Sequence, residues 1–147
     1  MAKPAATGPA GAGSLVVLLR YLEDKVRQRL QPLLDEAGLS QEHWRILALL
    51  HEQPGIGMSA IARGAVLPSA SATRHVDKLV ERGMVVRRID TTDKRRVVTA
   101  LSPHGLAVAE RLLAEEHAVE ADLTAVLGEE RFQMLARDLS KLPHVLD

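Results

Sequence analysis

Apolar residues recur at Leu15, Leu18, Leu19, Leu22, Val26 and Leu30, a three-and-four spacing that predicts an amphipathic helix capped by Ser14. Pro32 kinks or ends this helix, and Gly38 marks its stop. Ser40 opens a second helix, with Gln41 and Glu42 in its first turn and Trp44, Leu47 and Leu50 behind. Pro54-Gly55-Ile56-Gly57 breaks the pattern. A short helix from Ser59 turns Ile61, Ala62 and Ala65 inward. After Leu67-Pro68 another runs from Ser69 to about Arg82, with Gly83 suited to the left-handed position past its end. The period then changes. Residues 84–89 and 97–101 are rich in β-branched side chains and read as two strands. The polar run Asp90-Thr91-Thr92-Asp93-Lys94-Arg95-Arg96 between them makes a hairpin with an exposed basic tip. Ser102-Pro103 is a helix N-cap followed by Pro at the first helical position. A long helix then carries Leu106, Ala109, Leu113, Val119, Leu123 and Val126 to Gly128, and a last one carries Phe132, Leu135, Ala136 and Leu139 before Pro143. The fold class is mainly α with a small β-hairpin.

Composition narrows what such a chain does. Its 147 residues suit one domain, or a small domain with a helical arm. Tyr21, Trp44 and Phe132 are its only large aromatic residues, so the core is aliphatic. With no Cys, disulfides, zinc–thiolate sites and thiol-based oxidant sensing are excluded, and a cytoplasmic setting fits. No apolar run reaches the roughly 18–20 residues of a membrane span. Residues 1–13 are Ala, Gly and Pro with a single Lys3 and read as a disordered tail; Gly11-Ala12-Gly13 follows no strand and is no phosphate-binding loop.

The formal net charge is zero, which alone argues against a nucleic-acid partner. Its distribution reverses that impression. Between residues 63 and 96 nine Lys/Arg face four Asp/Glu, whereas residues 97–147 hold four against nine. On a helix advancing about 100° per residue, Ser71, Arg74, His75, Lys78 and Arg82 share one narrow face. Ala72, Val76, Leu79 and Val80 occupy another. One face packs and the other offers hydroxyl, imidazole and cationic groups, the donors that suit a major groove. Arg74 and Lys78 have the reach for guanine edges, and Ser69 and Ser71 for bases or phosphates. The preceding short helix and the connection 64–68 complete a helix-turn-helix. At the hairpin tip Thr92, Lys94, Arg95 and Arg96 face a minor groove or phosphates, and Asp93 orients Arg95 by a charge-assisted bond.

Residues 76–88, Val76-Asp77-Lys78-Leu79-Val80-Glu81-Arg82-Gly83-Met84-Val85-Val86-Arg87-Arg88, resemble the recognition-helix end and first wing strand of MarR-type transcriptional regulators. Asp93-Lys94-Arg95-Arg96 with Thr99-Ala100-Leu101-Ser102-Pro103-His104-Gly105 resembles that family's wing tip, second strand and next helix start. Residues 39–47, Leu39-Ser40-Gln41-Glu42-His43-Trp44-Arg45-Ile46-Leu47, resemble the helix before its reading unit, and the likeness spans roughly residues 15–142. The resemblance implies a winged helix-turn-helix at 39–101. It also implies a homodimer joined by the helix at 14–38 and those at 102–147, on a pseudo-palindromic operator in double-stranded DNA. Repression, released by a small aromatic or phenolic effector, is the usual outcome in that family. Tyr21, His43, Trp44 and Arg45 lie where such an effector binds, but none is matched to a family motif, and Trp44 is as readily core.

Other functions find little support. There is no Gly-x-Ser-x-Gly elbow, His-Glu-x-x-His or P-loop, so no enzyme is expected. Glu115, Glu116 and Glu120 read as an acidic, solvated helix face. His104 is followed one turn later by Val108 rather than His, so no metal or other cofactor is expected either. Two rivals remain: a DNA binder with no effector, and a winged helix that docks on protein.

Overall fold

The computed structural model describes residues 13–147; the tail at 1–12 lies outside the described residues. Helix α1 (Leu15–Ala37) runs through Pro32 and stops where Gly38 takes a left-handed φ of 65°. Ser14 stands at its N-cap without a side-chain bond, so the cap expected there is positional only. Helix α2 (Gln41–Glu52) opens with a reciprocal capping box, in which Ser40 Oγ accepts the His43 N–H and His43 Nδ1 accepts the Ser40 N–H, both at 3.1 Å. Helices α3 (Met58–Gly64) and α4 (Ser69–Glu81) follow, then strands β1 (Val85–Ile89) and β2 (Val97–Leu101). The long α5 (Pro103–Leu127), α6 (Glu129–Lys141) and a terminal turn α7 (Pro143–Leu146) complete the chain.

The strands pair antiparallel from Val85↔Leu101 to Ile89↔Val97. The segment read from sequence as a simple break does more: Ile56 bridges to Thr99, so it covers the outer edge of β2 just before α3 starts. That pairing joins residues 43 positions apart, and no local pattern announces it.

One aliphatic core holds the assembly. Leu30 and Leu34 of α1, Ile46, Leu47 and Leu50 of α2, Ile61 of α3, Val76 and Leu79 of α4, and Ala109 and Leu112 of α5 are all buried in it. Trp44 is also buried, and its indole N–H donates to Glu116 Oε1 at 2.6 Å. Arg29 of α1 bonds Glu115 and Asp122 of α5 at 3.0 and 2.9 Å. The face around Glu115 and Glu116 is thus half interior, a correction to its reading as a solvated strip. An acid spacing on a helix cannot report which neighbour lies against it.

Beyond this core, α6 has no buried residue. Leu15, Val16, Val17, Leu19 and Leu22 of α1, and Met134, Leu135 and Leu139 of α6, remain exposed. Among the described residues no helix is long and apolar enough to cross a membrane.

Candidate nucleic-acid interface

Helix α4 packs through Ala72, Val76 and Leu79, which are buried, and turns Ser69, Arg74 and Lys78 to solvent, with Ser71 and His75 half-buried. The amphipathic split expected from the sequence is therefore present. Arg74 Nη2 donates to Ser71 Oγ at 3.2 Å, one turn back along the same face. Lys78 Nζ lies 3.6 Å from Glu81 Oε2, an exposed pair that costs little to exchange for another anion.

Two members of the strip behave otherwise. The half-buried His75 packs edge-on against His43 of α2, with ring centroids 4.9 Å apart. Arg82 leaves the strip altogether. Its guanidinium donates to the carbonyls of Gly38 and, at 2.6 Å, Ala37, at the end of α1. A helical wheel places Cα atoms but not long side chains, and those two carbonyls lack partners within α1.

The wing tip is ordered by two short-range carboxylate turns. Asp90 Oδ1 accepts the Thr92 N–H at 3.0 Å and the Thr92 hydroxyl at 2.9 Å, and these bonds hold the Asp90 carboxyl below its usual range. The Thr92 hydroxyl proton is therefore already committed. Asp93 Oδ1 accepts the backbone N–H of Arg95 at 3.1 Å, not its guanidinium. Asp93 thus shapes the turn and leaves the Arg95 side chain free, where a side-chain bond was expected. An aspartate two residues before a free N–H in a turn closes this ring more readily than it reaches a long side chain.

Arg95 and Arg96 meet residues absent from the sequence-based list. With Ser59 and Arg63 of α3 they line a concavity of about 480 Å³ between the start of α3 and the wing base. Arg63 lies four residues after Ser59, one turn further along α3, and that spacing was the available signal. Among the described residues, Arg63, Arg74, Arg95 and Arg96 pair with no carboxylate, whereas Arg87 is paired with Asp77. Three guanidinium groups thus border one open recess, a cationic wall suited to an anionic partner.

A larger cavity of about 630 Å³ lies between α2, the α3–α4 turn and α5. Trp44, Leu49 and Leu113 contribute apolar walls, and Arg45, His51, His117, Glu52, Glu116 and Glu120 polar ones. Val66, on its rim, holds a left-handed φ of 56°, rare for a β-branched residue. Of the four residues placed near an effector by location, Trp44 and Arg45 line this cavity. Among the described residues no cluster of three or more His, Asp or Glu is placed to hold a metal ion.

A short helix, a tight turn and an exposed amphipathic helix, followed directly by a basic hairpin, make a winged helix-turn-helix. The MarR family model matches residues 39–97, the span from α2 to the start of β2. Residues 39–97 form a MarR-type domain. The HTH-type transcriptional regulator FarR of Neisseria gonorrhoeae is 27% identical over 134 residues, covering 91% of this chain and 92% of that protein. The homoprotocatechuate degradative operon repressor of Escherichia coli is 23% identical, covering 87% of this chain and 86% of that one. Among solved structures, NadR in complex with 4-hydroxyphenylacetate superposes with a TM-score of 0.80 at 26% identity, covering 92% of this chain and 96% of NadR. With this domain the chain is a DNA-binding transcriptional regulator, with α4 in the recognition-helix position and β1–β2 as its wing.

Proposed function

We propose that two copies of this chain join through α1, α5 and α6 and bind a pseudo-palindromic operator. Each copy places α4 in a major groove and its wing against the adjoining minor groove or phosphates. Residues 14–38 and 102–147 then form the dimerisation part, and 39–101 the reading domain. Ser69, Ser71, Arg74 and Lys78 serve the major groove, with His75 seated behind them on His43 and offering the groove only its outer edge; Thr92, Asp93, Lys94, Arg95 and Arg96 build and present the wing. Arg63 and Ser59 add a phosphate contact at its base. The observation that carries this reading is the recess bordered by Arg63, Arg95 and Arg96, none of them paired with a carboxylate among the described residues, beside a recognition helix whose exposed Arg74 bonds only Ser71. Bound in the cytoplasm, the protein represses transcription and catalyses no reaction.

Release is by a small phenolic or aromatic acid. The cavity between α2 and α5 is of ligand size, offers Trp44, Leu49 and Leu113 to a ring, and has Arg45, His51 and His117 for a carboxylate. The likeness to NadR, whose bound molecule is 4-hydroxyphenylacetate, supports that chemistry.

The test titrates the protein into labelled DNA from upstream of its own gene, against scrambled DNA, across salt concentrations, with and without 4-hydroxyphenylacetate. Selective, steeply salt-dependent binding that the phenolic acid weakens is the expected result. Equal affinity for scrambled DNA overturns the operator reading. Selective binding indifferent to a panel of phenolic acids reduces the protein to a repressor without this effector class.

A further inference from the structure

We infer that Arg82 is a positioning residue that sets the distance between the two recognition helices of a dimer, without touching DNA. The inference rests on the operator reading above. Arg82 stands at the C-cap of α4, and its two terminal nitrogens bond the Ala37 and Gly38 carbonyls that close α1. Those carbonyls have no further turn of helix to bond, and the helix end favours a cation. An arginine fork holds two acceptors in fixed geometry, which a single ammonium does not.

The same turn is gripped from its other side. Ser102, the cap of α5, donates its hydroxyl to the Gly83 carbonyl at 2.5 Å and its N–H to the Met84 carbonyl at 2.9 Å. A Cβ at Gly105 would lie 1.9 Å from the Met84 carbonyl oxygen, so α5 meets the turn at backbone distance. Residues 82–84 are thus the joint at which the reading helix is fixed to both α1 and α5. Those two helices are in turn bound together by Arg29–Glu115 at 3.0 Å and Arg111–Glu36 at 3.3 Å. In a dimer held by α1 and α5, a looser joint lets each α4 tilt about its C-terminal end. Two recognition helices must match half-sites about 34–36 Å apart, so that tilt relaxes the spacing requirement.

The experiment compares full-length wild type with Arg82→Lys and Arg82→Gln. Each is titrated on the upstream duplex selected above and on duplexes with one base pair added or removed between the half-sites, at several salt concentrations. Wild type is expected to prefer the native spacing, and both variants to lose that preference by about fivefold or more, with an unchanged salt slope. Because the preference is a ratio of two affinities, partial unfolding of a variant cancels from it. An equal loss on every spacing overturns the inference and makes the clamp a helix cap only. A salt slope lower by about one in Arg82→Gln, kept in Arg82→Lys, also overturns it, in favour of a phosphate contact. A wild type with selective binding but no spacing preference overturns the inference alone, whereas one with no selective binding removes the operator reading as well.

Discussion

His43 is held neutral by its surroundings. Its Nδ1 accepts the Ser40 N–H, so that nitrogen carries no proton, while Nε2 is buried without a partner. Burial first, and then the charges of His75, Arg82 and Lys78 on α4, push its pKa below the usual 6.5; Glu42 opposes them weakly. The native state therefore binds a proton less readily than the unfolded chain. The resulting stability is complete above pH 6.5 and is lost as pH falls through that value toward the depressed one. Glutamine at the same position can close the capping box but does not titrate. Denaturation midpoints at pH 5 and pH 7.5 are accordingly expected to differ less in His43→Gln than in wild type. At the DNA surface the free side chains separate by role. Arg95→Ala is expected to weaken binding to all sequences and lower the salt slope by about one. Arg74→Ala is expected to cost about 1–3 kcal/mol at one operator position. A uniform loss across operator variants would remove Arg74 from base reading.

Between elements, close backbone approach decides more than side-chain chemistry. Gly105 lies in the first turn of α5 and leaves no room for a methyl group against Met84. Gly105→Ala is expected to destabilise by about 3 kcal/mol or more, measured by urea denaturation, because the obstructing atom is backbone and cannot rotate away. Gly64 differs: a Cβ there meets only the flexible Leu49 side chain, at 2.6 Å. The sequence marked Gly105 as part of a family motif but gave no reason for a glycine. That reason exists only where β1 and α5 converge.

For the whole molecule, charge and apolar surface are sorted to different ends. The reading domain holds the basic excess, and α5 and α6 hold most of the acidic one. Exposed Leu135 and Leu139 on α6 and Leu15 to Leu22 on α1 form more apolar surface than an isolated chain keeps in water without consequence. Leu139→Lys is expected to shift the protein from dimer to monomer in sedimentation at micromolar concentration, with selective DNA binding lost and α-helical signal retained. A dimer of unchanged strength would place the seam elsewhere.

Apart from the terminal turn α7, the sequence by itself determined the elements and their order. Helical and strand periods, the Ser40 and Ser102 caps, and the glycines at 38, 83 and 128 are local signals, and local hydrogen bonds read them out directly. It also determined which α4 residues pack and which face out, except His75, which the fold packs against His43. Tertiary structure decided where long side chains go once helices meet. It turned Arg82 from the basic strip to the end of α1, set Glu116 on Trp44, and brought Arg63 beside Arg95 and Arg96. It also set Ile56 on the edge of β2. Each of these joins positions far apart along the chain, and a partner that the fold supplies leaves no period or spacing to read.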